Sequence, residues 1–164
     1  MQHEMQAMRF EHLRGRRWGG ILGAVLLLVL PTHADAIQLV TSEEAALPPD
    51  HLPPTLEVRG SPTRRPNVTI VSPAPNAGAV SSPLLLKLKL QAFGGAKIDT
   101  DSVVVTYRNT PLIDLTQRLR PYISADGIEV PDAEIPAGIH QFRVELRDKD
   151  GRAGGADFSF EVRK

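Results

Sequence analysis

Beyond residue 36 the chain holds two imidazoles, His51 and His140. Histidine is the side chain that exchanges a proton near neutrality and the commonest nitrogen ligand for a metal. His51 stands in a proline-rich stretch with no partner pattern around it. His140 lies two residues before Phe142, on the apolar phase of an alternating stretch, just after Ile135-Pro136-Ala137-Gly138. That placement predicts a structural corner rather than a base or a ligand. Tyrosine holds a comparable corner in many two-sheet domains.

Four carboxylates fall where loops are expected: Asp99, Asp101, Asp148 and Asp150. Calcium takes six to eight oxygens, so these four are the candidates for such an ion. Asp148 to Gly151 lacks the spacing of an EF-hand loop, and aspartate is a common turn former through bonds to its own backbone. Turn chemistry is the expected role. No metal and no cofactor are expected.

The nucleophile motifs are missing. No Gly-x-Ser-x-Gly elbow accompanies the serines, and no P-loop, dinucleotide fingerprint or His-Glu-x-x-His is present. Cysteine is absent, which removes disulfides, thiolate metal sites and a thiol nucleophile. Lys+Arg and Asp+Glu both count 19, and aromatic residues make up 5%. A neutral chain with few aromatics has neither the basic field nor the stacking surface that nucleic acids require. The chain is expected not to be an enzyme and not to bind nucleic acid.

The elements that would position these residues begin after an amino-terminal export signal. Arg9, Arg14, Arg16 and Arg17 precede an uncharged run from Gly19 to Leu30, followed by Pro31 and by Ala34-Asp35-Ala36. A basic segment, a short apolar segment and a small-x-small site form the plan of a secretory signal peptide, with cleavage after Ala36. The apolar run is shorter than the roughly 20 residues that cross a bilayer. No stable membrane span is expected after cleavage, and the product is expected in the periplasm or outside the cell. Residues 37–66 carry Pro48, Pro49, Pro53, Pro54, Pro62 and Pro66. Proline at this density predicts an extended stalk or disordered linker, with one helical turn where Thr41-Ser42-Glu43-Glu44 has a capping-box pattern. Asn67-Val68-Thr69 is a glycosylation sequon.

Residues 67–164 read as β-structure. Val68 to Ser72 is a strand closed by Pro73. Leu84, Leu86, Leu88 and Leu90 alternate with Lys87, Lys89 and Gln91, and Val103, Val105 and Tyr107 alternate with Val104 and Thr106. Phe142, Val144 and Leu146, then Phe158, Phe160 and Val162, alternate with polar residues on either side of a turn rich in Gly and Asp. A period of two places each apolar set on one face, so the last two strands form a hairpin. Asp114-Leu115-Thr116-Gln117 begins a short helix or an irregular edge strand, with Leu115, Leu119 and Tyr122 on one side. Pro131 and Pro136 predict a short edge strand between them.

About seven short strands in roughly a hundred residues give an all-β expectation: one Ig-like antiparallel β-sandwich with room for a short helix in the middle. The stretches Ile98-Asp99-Thr100-Asp101-Ser102-Val103-Val104-Val105 and Ile135 to Asp148 resemble the bacterial Ig-like domains, related to fibronectin type III and cadherin-like modules. Asp148-Lys149-Asp150-Gly151 and Phe158-Ser159-Phe160-Glu161-Val162 extend that resemblance, which implies the fold and no particular activity. Ser72 to Val80, the Ile135-Pro136-Ala137-Gly138 corner and Asp150-Gly151 also resemble the periplasmic copper-resistance proteins of the C type. That family places a histidine straight after Asp-Gly and another at the mature amino terminus. Here Arg152 and Ile37 stand at those places, so the copper activity does not carry over. The expected role is an exported cell-envelope interaction or structural module with a protein or surface partner. The alternatives are a periplasmic small-ligand or metal carrier, and an accessory domain that assists an envelope enzyme.

Overall fold

The computed structural model describes residues 36–51 and 64–163. All of them lie in one compact unit, His33–Lys164. The expected signal peptide, residues 1–35, and most prolines of the expected linker, residues 52–63, lie outside the described residues.

The described chain is mostly β. In order it runs β1 (Ile37–Gln38), α1 (Ser42–Ala45), β2 (Asn67–Ser72), β3 (Val80–Ser81), β4 (Leu84–Gln91), β5 (Ile98–Tyr107), β6 (Ile113–Asp114), α2 (Thr116–Leu119), a 3-10 turn (Arg120–Tyr122), β7 (Gly127–Glu134), β8 (Gly138–Asp148) and β9 (Ala153–Arg163). Two sheets result, one ordered β1-β7-β4-β2 and the other β3-β9-β8-β5-β6.

The alternation explains the long strands. In β4 the four leucines Leu84, Leu86, Leu88 and Leu90 are buried while Leu85, Lys89 and Gln91 are exposed. In β8 the same period buries His140, Phe142, Val144, Leu146 and Asp148. The hairpin of β8 and β9 is antiparallel with Phe142 opposite Phe158 and His140 opposite Phe160. The apolar faces of both sheets feed one buried core, joined by Leu115 and Leu119 from the α2 region. Each fully buried aliphatic or aromatic side chain there contributes about 1.5–3 kcal/mol.

Four expectations need correction. There are nine strands among the described residues, not seven, and the sheets are mixed, because β1 runs parallel to β7 and β3 parallel to β9. Both parallel partners are two residues long, too short to leave a periodic trace in the sequence. The second correction concerns β7, which spans eight residues through Pro131 and is flanked by β4 and β1, so it is not a short edge strand. The register moves from Leu86↔Val130 to Leu84↔Ala133, which places two residues of β7 against Leu85 alone. Pro131 lies in that bulge, where its missing N–H costs no ladder bond.

Third, residues 37–51 are not a stalk. Leu39 and Val40 are 0% and 1% exposed, the amides of both donate to the Glu134 carbonyl at 3.0 and 3.4 Å, and Pro49 bridges to Asn109. This segment therefore pairs with β7 of one sheet and with the chain just after β5 of the other. Two buried aliphatic residues outweigh the extended bias of the prolines that follow them. Fourth, Asp99 and Asp101 lie within β5 rather than in a loop. The register shift between Asp99 and Val104 marks a bulge. The Ser102 hydroxyl closes it, donating to the Asp99 carbonyl at 2.6 Å and accepting from the Arg147 amide at 2.7 Å.

The expected helical turns form. Thr41 Oγ1 accepts from the Glu44 amide at 3.1 Å while the Glu44 carboxylate accepts from the Thr41 amide at 2.8 Å, which is the reciprocal capping box. At α2 the Asp114 carboxylate accepts from the Thr116 amide at 2.7 Å. Close approach requires glycine in β9, where a Cβ at Gly154 would overlap the Pro66 carbonyl oxygen.

Candidate functional site

His140 sits at the start of β8 with a 1% exposed ring. Its Nε2 lies 2.8 Å from the Pro136 carbonyl oxygen and its Nδ1 lies 3.0 Å from the Tyr107 hydroxyl. A carbonyl can only accept, so Nε2 carries the proton, and Nδ1 accepts from the tyrosine O–H. Burial pushes the His140 pKa down, against the smaller upward pull of the Pro136 bond, and the neutral ring satisfies both neighbours. Burial likewise raises the Tyr107 pKa. The ring packs among Tyr107, Phe142 and Phe160, with centroids 5.8, 6.5 and 6.3 Å away. Both nitrogens are thus taken by groups of the fold. His51 is exposed.

The four aspartates do not converge. Asp148 has a side chain that is 0% exposed. Its Oδ1 accepts from the amides of Asp150 and Arg152 at 3.1 and 2.9 Å, and its Oδ2 accepts from Arg152 Nε at 2.7 Å. Burial alone would raise its pKa; the bonds from Arg152 outweigh it and hold the carboxyl below its ordinary value. Asp150 meets the same guanidinium at 2.8 Å, and Arg152 also donates to the Phe93 carbonyl at 3.0 Å. Asp99 pairs with Lys149, whose bond lowers its pKa. Asp101 is largely exposed and lies 3.7 Å from Arg120. Each carboxylate faces a cation of its own chain. Among the described residues no group of three or more His, Asp or Glu side chains is placed to hold a metal ion. The Arg152 position is filled by a turn-closing cation, whose guanidinium can hold carboxylates but cannot ligate copper.

A dense polar constellation among the described residues was not visible in the sequence pattern. It joins the segment around α1 to the chain after β5. Arg118 donates to both oxygens of Glu44 at 2.8 and 2.6 Å and to the Leu39 carbonyl at 2.9 Å. The Arg118 bonds pull the Glu44 pKa down from 4.5 to about 2. Asn109 Nδ2 donates to the carbonyls of Glu44 and Leu47 at 2.8 and 3.1 Å. Arg108, 4% exposed, donates to Asp50 through Nε and Nη2 at 3.1 and 2.9 Å and to Asp157 at 3.3 Å. Asp157 also accepts from Arg143 Nε at 2.9 Å. The only local sign of this network was the capping box at Thr41. The partners that join the two segments lie 58 to 79 residues apart, beyond any short-range spacing rule.

A shallow cleft lies beside β1, lined by Gln38, Val40, Ser42, Ser82, Glu134 and Pro136 among others. Glu134 is the one ionisable residue lining it among the described residues. Asn67 of the sequon is exposed at the start of β2, with Nδ2 3.4 Å from Thr69 Oγ1. No helix among the described residues is long and apolar enough to cross a membrane. No family, no curated protein and no solved structure matches the chain.

Proposed function

We propose that this chain is an exported, non-enzymatic interaction or structural module of a bacterial cell envelope, built as an Ig-like β-sandwich. The observation that carries this reading is the commitment of the chain's best chemical candidates to the fold itself. His140 bonds Pro136 and Tyr107, and Asp148 bonds Asp150 and Arg152. A base or a ligand must keep a lone pair for its substrate or ion. The export reading rests on the basic, apolar and small-residue segments before Ile37. The sandwich reading draws support from two sheets that share one core.

Such a domain engages a partner through end loops and open strand edges. Beyond Val162 and Arg163, β9 has no strand partner on its β3 side among the described residues, and this edge, away from Gly154 where Pro66 packs, is the proposed place for strand addition. The Asp148–Gly155 turn and the irregular stretch from Asn109 to Gly127 are the other docking surfaces. Cross-linking in the native envelope followed by mass spectrometry tests the proposal. A reproducible protein partner linked through these surfaces is expected. A small molecule or metal co-purifying near one equivalent would replace this reading with a carrier.

A further inference from the structure

We infer that removal of the signal and docking of the first strand compete for the same residues, so that cleavage after Ala36 is possible only before β1 is seated. The inference rests on the export reading above and extends it to the order of events. The reaction is hydrolysis of the Ala36–Ile37 peptide bond by water, catalysed by a membrane-bound endopeptidase. It leaves a carboxylate on Ala36 and an amino group on Ile37. Endopeptidases of this kind bind several residues on each side of the bond as an extended strand, through backbone hydrogen bonds of the sheet type.

The residues on the carboxyl side of that bond are already held in this way by the fold. Ile37 and Gln38 pair with Ala133 and Glu134 of β7. The amides of Leu39 and Val40 donate to the Glu134 carbonyl, and both side chains are buried, at 0% and 1% exposure. The Arg118 guanidinium clamps the Leu39 carbonyl and the Glu44 carboxylate. Ala36 itself is exposed, but the four residues after it are not free to enter an active site. A chain that seats β1 first keeps its signal and stays attached to the membrane; a chain cut first is released. The ratio of the two forms is then set by a race between peptidase and folding rather than by the cleavage motif alone.

The test uses the full chain in detergent micelles with a purified signal peptidase. Four forms are compared: the folded parent, Arg118→Ala, Leu39→Ala, and the parent chain still emerging from synthesis, with cut fractions read by intact mass. Arg118→Ala leaves the cleavage sequence untouched, and hydrogen exchange at the Leu39 and Val40 amides reports whether β1 has loosened. Cleavage at Ala36 at least about tenfold slower in the folded parent than in whichever variant exchanges faster is the expected result, in line with cutting through a minor open state. Equal cleavage rates in the parent and in a variant with loosened amides would overturn the inference while leaving the export reading intact. No cut near Ala36 in any form, including chain still emerging from synthesis, would overturn the export reading and the inference with it.

Discussion

Glu44 and Arg118, 74 residues apart in sequence, form a two-pronged ion pair with bonds of 2.6 and 2.8 Å. The pair ties α1 to α2, and because the same guanidinium holds the Leu39 carbonyl, it also fixes the entry of the chain into the fold. The bonds from Arg118 keep the Glu44 pKa at about 2 against an ordinary 4.5. A carboxylate with a depressed folded-state pKa contributes stability above its unfolded pKa and loses it as pH falls through the folded value. Glu44→Gln is therefore expected to cost about 1–2 kcal/mol at pH 7, after discounting for the solvent that reaches the guanidinium. The difference from the parent should fade between about pH 4.5 and pH 2. Urea denaturation across that range checks both the size and the sign.

His140 follows the same linkage sign as Glu44, at a higher pH. Its pKa is lowered by burial, so the unfolded chain takes up a proton near pH 6.5 that the folded chain refuses. Stability is full above that pH and falls as the pH drops below it. His140→Phe removes the bond to Pro136 and leaves the Tyr107 hydroxyl without its acceptor, at an expected cost of about 1–3 kcal/mol at pH 7.5. The variant should be less pH-dependent than the parent between pH 7 and pH 5.5. Chemical denaturation of both proteins at the two pH values decides this, and an equal slope would assign the acid sensitivity elsewhere.

Asp148 and Arg152 predict the response to calcium. The Asp148 carboxylate already accepts three bonds from its own turn. Millimolar calcium should leave the melting temperature within about 2 °C of the metal-free value, whereas a native-state ligand at saturating concentration raises it. Asp148→Asn should lower the melting temperature, because the amide cannot offer the Arg152 guanidinium a charge. A calcium-induced rise of several degrees that chelator reverses would show that the turn yields its aspartates to an ion.

The segment from Ile37 to His51 behaves as part of the fold. Removing it strips Leu39 and Val40 from the core and exposes the edge of β7. The loss from those two side chains alone is about 3–6 kcal/mol, a large part of the stability of a small domain. A chain beginning at residue 52 is expected to be unfolded or aggregated, whereas one beginning at Ile37 should melt cooperatively. Circular dichroism melts of the two proteins, side by side, distinguish an integral strand from a dispensable stalk.

The sequence by itself determined the long strands and the all-β class. Alternation in Leu84 to Gln91, Val103 to Tyr107 and the Phe142 and Phe158 runs is a local property, since a period of two assigns a face to every side chain before any partner is known. The capping box at Thr41 and the turn at Asp114 were legible for the same reason: their bonds close within three residues. What the tertiary structure decided is everything that depends on a distant partner. Pro131 sits inside β7 because a bulge against Leu85 accepts it. Leu39 and Val40 are core rather than linker because β7 and Arg118 lie ready to receive them. Arg108, which alternation would have left as an ordinary polar residue after Tyr107, is buried because Asp50 returns across 58 residues to pair with it. Burial and electrostatic pairing are set by contacts between remote segments, and no local spacing encodes them.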